Sequence, residues 1–273
     1  MTTKLIKKLH PICANSTGLK PSCHQLLSHP ARVSLIGSSG SGKSNLIGNL
    51  LTDERLFGGY FDKIFIISPN FLTDISYENI EDYSSQLERK YNHELIAYTD
   101  FDEELMMEHL NEIKRDLAIG KEKYKKSKST TKDKFIPKTL ILLDDIIEDI
   151  QLLNSKFLKL LSTRGRHLNI STWIASQSYM ALPRVWRVNT TSTIFFQPKN
   201  NGEALRIFDE LFKYYDKTEF LQLLAQVFSD KYNFILLNPS APKSKFLNLN
   251  LEYYINKVAD VGQSPRPVLA HGV

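Results

Sequence analysis

Gly37-Ser38-Ser39-Gly40-Ser41-Gly42-Lys43-Ser44 lies between the apolar run Ala31–Ile36 and the stretch Asn45–Leu51. Its spacing is G-x-x-x-x-G-K-S, the phosphate-binding P-loop. The residues before it, Ala-Arg-Val-Ser-Leu-Ile, suit a buried strand, and those after it can start a helix. The glycines let the backbone curl with its N–H groups pointing into a concavity that holds anions. A helix beginning near Lys43 adds its positive N-terminal end. In this setting Gly37, Ser38, Ser39, Gly40, Ser41, Gly42, Lys43 and Ser44 bind nucleotide phosphates. Lys43 reaches the β- and γ-phosphates, and the Ser44 hydroxyl is a magnesium ligand. The competing account, a Gly/Ser-rich linker, does not explain the strand in front of it.

A second apolar strand completes the chemistry. Thr139-Leu140-Ile141-Leu142-Leu143 runs into Asp144-Asp145, a Walker B pattern placed one hundred residues after Ser44. Buried parallel strands are apolar on both faces, and open α/β sheets carry their sites at the strands' C-terminal ends. Asp144 is expected to hold magnesium and Asp145 to orient or deprotonate the attacking water. An acidic first turn of a following helix would place the same two residues equally well. Ser171–Ser178 reads as a further strand with a polar end, where Gln177 can sense the γ-phosphate or the lytic water by hydrogen bonding.

The rest of the chain fits around this frame. Lys63–Pro69, Leu95–Thr99, Thr193–Gln197 and Tyr232–Leu237 read as strands, and Phe246–Leu251 as an edge strand. Phe101–Ile119 has Leu105, Leu110, Ile113 and Leu117 at helical spacing, with Gly120 as its stop. Residues 70–92, polar and acidic, read as a surface excursion. Ile150–Ser162 reads as one helix, Thr163–Asn169 as a basic turn, and Glu203–Tyr215 with Thr218–Phe228 as a helix pair. Residues 1–30 form a lead-in segment broken by Pro11, Pro21 and Pro30. Residues 31–240 form the nucleotide-binding domain, and 241–273 an edge strand and tail. Lys121–Lys134 is a basic insertion with seven lysines against Glu122 and Asp133. It reads either as a solvated mobile loop or as a contact to a phosphate backbone.

Composition narrows the class. The chain has 273 residues, 42% hydrophobic and 24% charged, enough for a substantial α/β core. No apolar run approaches the about 18 residues of a membrane span, and the basic start Met1–Lys8 is not followed by the apolar block of a secretory signal. Two cysteines, Cys13 and Cys23, point to a reducing compartment. With His10 and His24 they lack the close pair spacing of a zinc site. A net charge of +5 is a mild signal for a polyanionic partner.

The order of motifs from Asp144 onward resembles the FtsK–HerA superfamily of DNA-pumping ATPases. Within it, the chain is similar to the poxvirus-type genome-packaging ATPases of double-stranded DNA viruses. The residues that carry the likeness are LIGSSGSGKSNLI at 35–47, TLILLDDI at 139–146, and LLSTRGRHLNISTWIASQSYMALPRVWRVNTTSTIFF at 160–196. The resemblance covers roughly 31–200. It implies a RecA-like P-loop NTPase with a mostly parallel central sheet flanked by helices. It implies ATP and Mg2+ as cofactors, double-stranded DNA as partner, and a homo-oligomeric, hexamer-like ring. A capsid vertex or a portal or membrane component would be a further partner, in the host cytoplasm at a virus assembly site or in the virion. Lys43, Ser44, Asp144, Asp145 and Gln177 fall on its Walker A, Walker B and sensor positions. Many members have Glu where this chain has the shorter Asp145, and Glu148 is a poorer substitute. The arginine that acts across the subunit interface is expected to be Arg166 or Arg187, with Arg164 and Arg184 in reserve. The expected activity is ATP hydrolysis that drives viral DNA into a preformed capsid. The alternatives are a plasmid or transposon translocase of the same superfamily, and a soluble P-loop kinase or switch with no DNA partner.

Overall fold

The computed structural model describes residues 27, 29–54, 56–91, 93–128, 135–212, 216–229, 232–237 and 247–249. Its centre is an eight-stranded sheet in the order β3-β2-β4-β5-β1-β6-β7-β8. The strands are β1 (Arg32–Ile36), β2 (Lys63–Ile67), β3 (Glu94–Tyr98), β4 (Thr139–Asp144), β5 (Ile170–Ser176), β6 (Ser192–Phe196), β7 (Phe234–Leu237) and β8 (Leu247–Leu249). Every pairing from β3 to β6 is parallel, and β7 and β8 join antiparallel at one edge. The expected mostly parallel α/β sheet is met. Leu247–Leu249 is its outermost strand.

The apolar runs alternate between two cores, as the two-residue period of a strand requires. Val33, Leu35, Leu140, Leu142, Trp173 and Ala175 face one side of the sheet, with α1 (Lys43–Thr52) and α2 (Ile75–Tyr91). Ile36, Ile141, Leu143 and Ile174 face the other, where α3 (Glu103–Lys126), α5 (Lys156–Arg164), α7 (Asn201–Leu211) and α8 (Lys217–Val227) pack. Of the polar residues inside this sheet some find partners, while the buried Thr172 and Thr193 hydroxyls have none among the described residues. The buried Ser34 hydroxyl accepts from Trp186 Nε1 at 2.8 Å. That indole anchors the short α6 (Arg184–Arg187) to the core.

Three expectations from sequence need correction. The surface excursion at 70–92 is largely helix: α2 spans Ile75–Tyr91 and buries Tyr77, Ile80 and Ser84 along one narrow side. Gly120 does not stop a helix. α3 runs through it to Lys126, and Gly120 is there because the returning chain comes close: a Cβ would lie 2.1 Å from the Phe135 carbonyl oxygen. The basic insertion is therefore helical through Lys126, while 129–134 lie outside the described residues. The single helix expected over Ile150–Ser162 is two, α4 (Ile150–Asn154) and α5, because the Ser155 hydroxyl accepts from Leu158 N and starts a new N-terminus. Residues 1–26 of the lead-in segment, with Cys13, Cys23, His10 and His24, and the tail after Leu249, also lie outside the described residues.

α3 shows what fixes these layers. Asp102 caps it by accepting from Leu105 N, and Met106, Leu110 and Ile113 are buried against the sheet. Burial of each such side chain contributes about 1.5–3 kcal/mol. The parallel strands all bring their C-terminal ends to one edge of the sheet, and the P-loop lies there.

Candidate active site

β1 delivers the chain into the loop, and Gly37 N donates to the Ser176 carbonyl at 3.1 Å, tying the loop to the end of β5. Gly40 and Gly42 have φ of 71° and 105°, which side-chain-bearing residues rarely adopt. α3, α4, α5 and α7 each begin on a side chain that caps them, whereas α1 begins on Gly42 with no side-chain cap and no acidic residue in its first turn. The free N–H groups of that turn and the helix dipole favour an anion. The Ser41 hydroxyl is buried and has no partner. Lys43 Nζ donates to the loop's own carbonyls, Gly37 O at 2.7 Å and Ser38 O at 3.1 Å. Burial pulls the Lys43 ammonium below its ordinary value, and the Asp144 and Asp145 carboxylates act against that. These features fit a nucleotide phosphate.

β4 ends on Asp144, which is 4% exposed. Its carboxylate accepts a hydrogen bond from the Tyr77 hydroxyl of α2. Burial pushes the Asp144 carboxyl above its ordinary value, and the Tyr77 bond and Lys43 partly reverse that. Such a carboxylate, desolvated near the P-loop lysine, suits a cation, and with the Ser44 hydroxyl at the head of α1 it gives the oxygen donors magnesium prefers. Among the described residues no cluster of three or more His, Cys, Asp or Glu side chains is placed to hold a metal by itself.

Asp145 turns out of the strand. Its φ of 54° is left-handed, and its N–H donates to the Ala175 carbonyl at 3.3 Å. A non-glycine residue in that region costs free energy and recurs at functional sites. The Asp145 carboxylate is held by a pair of amides. Gln177 Nε2 donates to Oδ1 at 3.0 Å and Asn70 Nδ2 to Oδ2 at 3.1 Å. The structure thus brings Lys43, Asp144, Asp145 and Gln177 together. It adds two residues that sequence reasoning passed over, Asn70 and Tyr77. Both come from the segment after β2, and the available signal was polar Ser68 and Asn70 directly after an apolar strand.

The arginines lie elsewhere. Arg166 is exposed in the 3-10 turn Gly165–Leu168, ahead of the first residue of β5. Gln177 follows the last residue of that strand, so Arg166 is about 20 Å from the phosphate end of its own subunit. Arg166 makes no ion pair among the described residues. Burial, with the Arg166 guanidinium beside it, pulls the neighbouring Arg32 below its ordinary value. Arg187, the other expected candidate, is committed internally: it pairs with Glu210 and donates to the Leu182 and Met180 carbonyls. Arg164 and Arg184 are exposed.

Residues 20–206 match the family described as Poxvirus A32 protein. The fold is similar to that of the DNA-packaging ATPase B204 from Sulfolobus turreted icosahedral virus, with 14% identity and a TM-score of 0.54, covering 81% of this chain and 97% of that one. It is also similar to the genome packaging NTPase B204 from Sulfolobus turreted icosahedral virus 2 in complex with AMP, with 14% identity and a TM-score of 0.51, covering 80% and 96%. No curated protein matches the sequence.

Proposed function

The chain belongs to the Poxvirus A32 protein family, and from that premise we propose that it is a motor that moves double-stranded viral DNA into a preformed capsid. It is a P-loop ATPase. The observation that carries the reading is the convergence of Lys43, Asp144, Asp145 and Gln177 at one end of the sheet, beside an uncapped helix N-terminus. That set divides the work of phosphoryl transfer: cradle the phosphates, hold the cation, orient the water.

In this reading Lys43 leaves the Gly37 and Ser38 carbonyls for β- and γ-phosphate oxygens, while residues 37–44 surround the phosphates. Ser44 and Asp144 hold Mg2+, which when bound neutralises charge on the transferred phosphoryl group. Asp145 accepts from the attacking water, and Gln177, already bonded to Asp145, reports the γ-phosphate to it. The charge that develops on the transferred phosphoryl group calls for a further cation, which in this reading a neighbouring subunit supplies. Arg166, exposed and without an ion-pair partner, is the residue assigned to that role, and Arg187 is assigned to the fold. The assembly is a hexamer-like ring around duplex DNA, working at the host's virus assembly site or in the virion with a capsid vertex or portal component. No described helix is long and apolar enough to cross a membrane.

The test is ATPase rate with and without linear duplex DNA, with particle mass measured on an ATP analogue. DNA-stimulated hydrolysis by an oligomer, lost in Lys43→Ala, is the expected result. Hydrolysis indifferent to DNA at low salt would favour a nucleotide switch.

A further inference from the structure

The two carboxylates at the end of β4 are held by one short segment. Ser68–Tyr77 leaves β2 and closes on itself: Phe71 N donates to Ser68 O at 3.1 Å, and Thr73 N and Asp74 N both donate to Asn70 O at 3.0 Å. Ser76 N donates to Asp74 Oδ1 at 2.9 Å, and Tyr77 N to Asp74 O at 2.9 Å. The Asn70 N–H donates to the Ser68 hydroxyl at 3.3 Å, and the Phe71 and Tyr77 rings sit 5.3 Å apart. Asn70 and Tyr77 therefore move as one unit. From that unit Asn70 Nδ2 reaches Asp145 Oδ2 at 3.1 Å, and the Tyr77 hydroxyl reaches Asp144.

The arrangement answers a chemical need. Neighbouring carboxylates with different tasks, one on a metal and one on water, must be kept in separate orientations. The left-handed turn at Asp145 takes the chain out of β4, but a carboxylate on a turn still rotates about its own bonds. Gln177 fixes one oxygen of Asp145 from β5; the other is fixed from across β4 by Asn70. Asp144, 4% exposed, has its side-chain hydrogen bond from Tyr77, itself 1% exposed. Partners of this outer kind set the orientation of metal ligands, and their loss typically weakens metal binding 10–100-fold.

We propose that Asn70 and Tyr77 are positioning residues of the ATPase, and that Ser68–Tyr77 is a rigid arm that orients Asp145 for water and Asp144 for Mg2+. This rests on the ATPase reading above and adds a third wall to the site, beyond the P-loop and β4.

The two contacts predict different kinetic signatures. In Tyr77→Phe, which removes only the hydroxyl, the Mg2+ concentration for half-maximal ATPase rises about 10–100-fold, while Kd for fluorescent ATP analogue measured without Mg2+ stays within twofold. In Asn70→Ala and Asn70→Asp, kcat falls tenfold or more with KM for ATP and the Mg2+ midpoint unchanged. Alanine removes the donor, and aspartate, of the amide's size, replaces it with a carboxylate that repels Asp145. Melting curves of all variants accompany the kinetics. If Tyr77→Phe leaves the Mg2+ midpoint unchanged, or Asn70→Asp leaves kcat unchanged, the arm does not position the carboxylates. A joint fall in melting temperature, nucleotide affinity and kcat would also overturn the proposal, by showing a purely structural segment. A wild-type protein with no ATPase activity would instead sink the reading on which it rests.

Discussion

Arg187 gives Nε and Nη2 to a single carboxylate, each donating to Glu210 at 3.0 Å, while Nη1 donates to the Leu182 carbonyl at 2.7 Å. The side chains are 12% and 34% exposed. A planar, bidentate pair of this kind locks α6 to α7. Arg187→Ala therefore removes a structural tie and leaves Glu210 without its cation, at a cost of about 1–3 kcal/mol, less than for a fully buried pair because Glu210 meets solvent. The expected readout is a melting temperature lower by several degrees with kcat per folded subunit unchanged. Wild-type melting combined with lost hydrolysis would return Arg187 to the catalytic role.

Arg166 has the opposite signature. It is exposed, so Arg166→Ala should melt like the wild type, and its loss should lower kcat by about 10³–10⁵, the range of a finger supplied in trans. Its position at the far end of β5 from Gln177 makes the defect a shared one. Mixing Arg166→Ala subunits with Lys43→Ala subunits creates interfaces where an intact P-loop faces an intact arginine. Hydrolysis should reappear in the mixture although neither variant hydrolyses alone. Silence in the mixture, with mixed rings verified by mass, would place the missing cation elsewhere.

What could be read from sequence were features written in consecutive residues. Ala31–Ser44 and Thr139–Asp145 each hold strand, turn and chemistry within fourteen positions or fewer, and both take their expected form. What escaped depends on partners far along the chain. Asn70 meets Asp145 across 75 residues and Tyr77 meets Asp144 across 67, so neither contact leaves a local trace. α2 hid because Tyr77 and Ile80 are the only apolar residues it buries among those whose burial is described, too thin a stripe to give a helical period. Gly120 misled for a related reason: glycine after a helical run is a common stop, whereas here its missing side chain admits the Phe135 carbonyl. Arg187 looked free because Glu210 lies on another helix.

Gly120 offers a clean test of that last distinction. If glycine served the helix only, Gly120→Ala would stabilise α3 by about 1 kcal/mol. The Cβ would instead meet Phe135 O at 2.1 Å, and relieving that contact requires a backbone shift. Overpacking of this kind costs about 1–3 kcal/mol. Chemical denaturation should show a lower midpoint for Gly120→Ala; a higher one would mean that the 135–138 return is loosely held.

Asp144 illustrates function opposing stability. Burial pushes its carboxyl above the ordinary value, so the folded state disfavours the charge that the cation requires. Asp144→Asn keeps an oxygen that can accept from Tyr77 and removes the buried charge. At neutral pH the variant should melt about 2–4 °C higher than the wild type, equivalent to roughly 1 kcal/mol in a chain of this size, while losing Mg2+-dependent hydrolysis. A lower melting temperature would mean that attraction to Lys43 outweighs desolvation at this position.

The basic end of α3 gives the last prediction. Lys121, Lys123, Lys125, Lys126 and Lys128 are exposed, and three of them stand in the final turn of the helix. A helix of 24 residues is about 36 Å long, roughly twice the span of the five-residue strands β2 and β3 that it crosses. Its lysines are thus carried beyond the sheet, where a phosphate backbone could reach them. Each phosphate neutralised by a lysine steepens the dependence of log affinity on log salt by about 0.9. Replacing all five with Gln should flatten that slope by two units or more for duplex DNA and weaken binding equally for unrelated sequences. ATPase without DNA should be unchanged, because these side chains are far from the P-loop. An unaltered slope would show that the lysines only solvate the helix end, and that duplex DNA is held by another face of the protein.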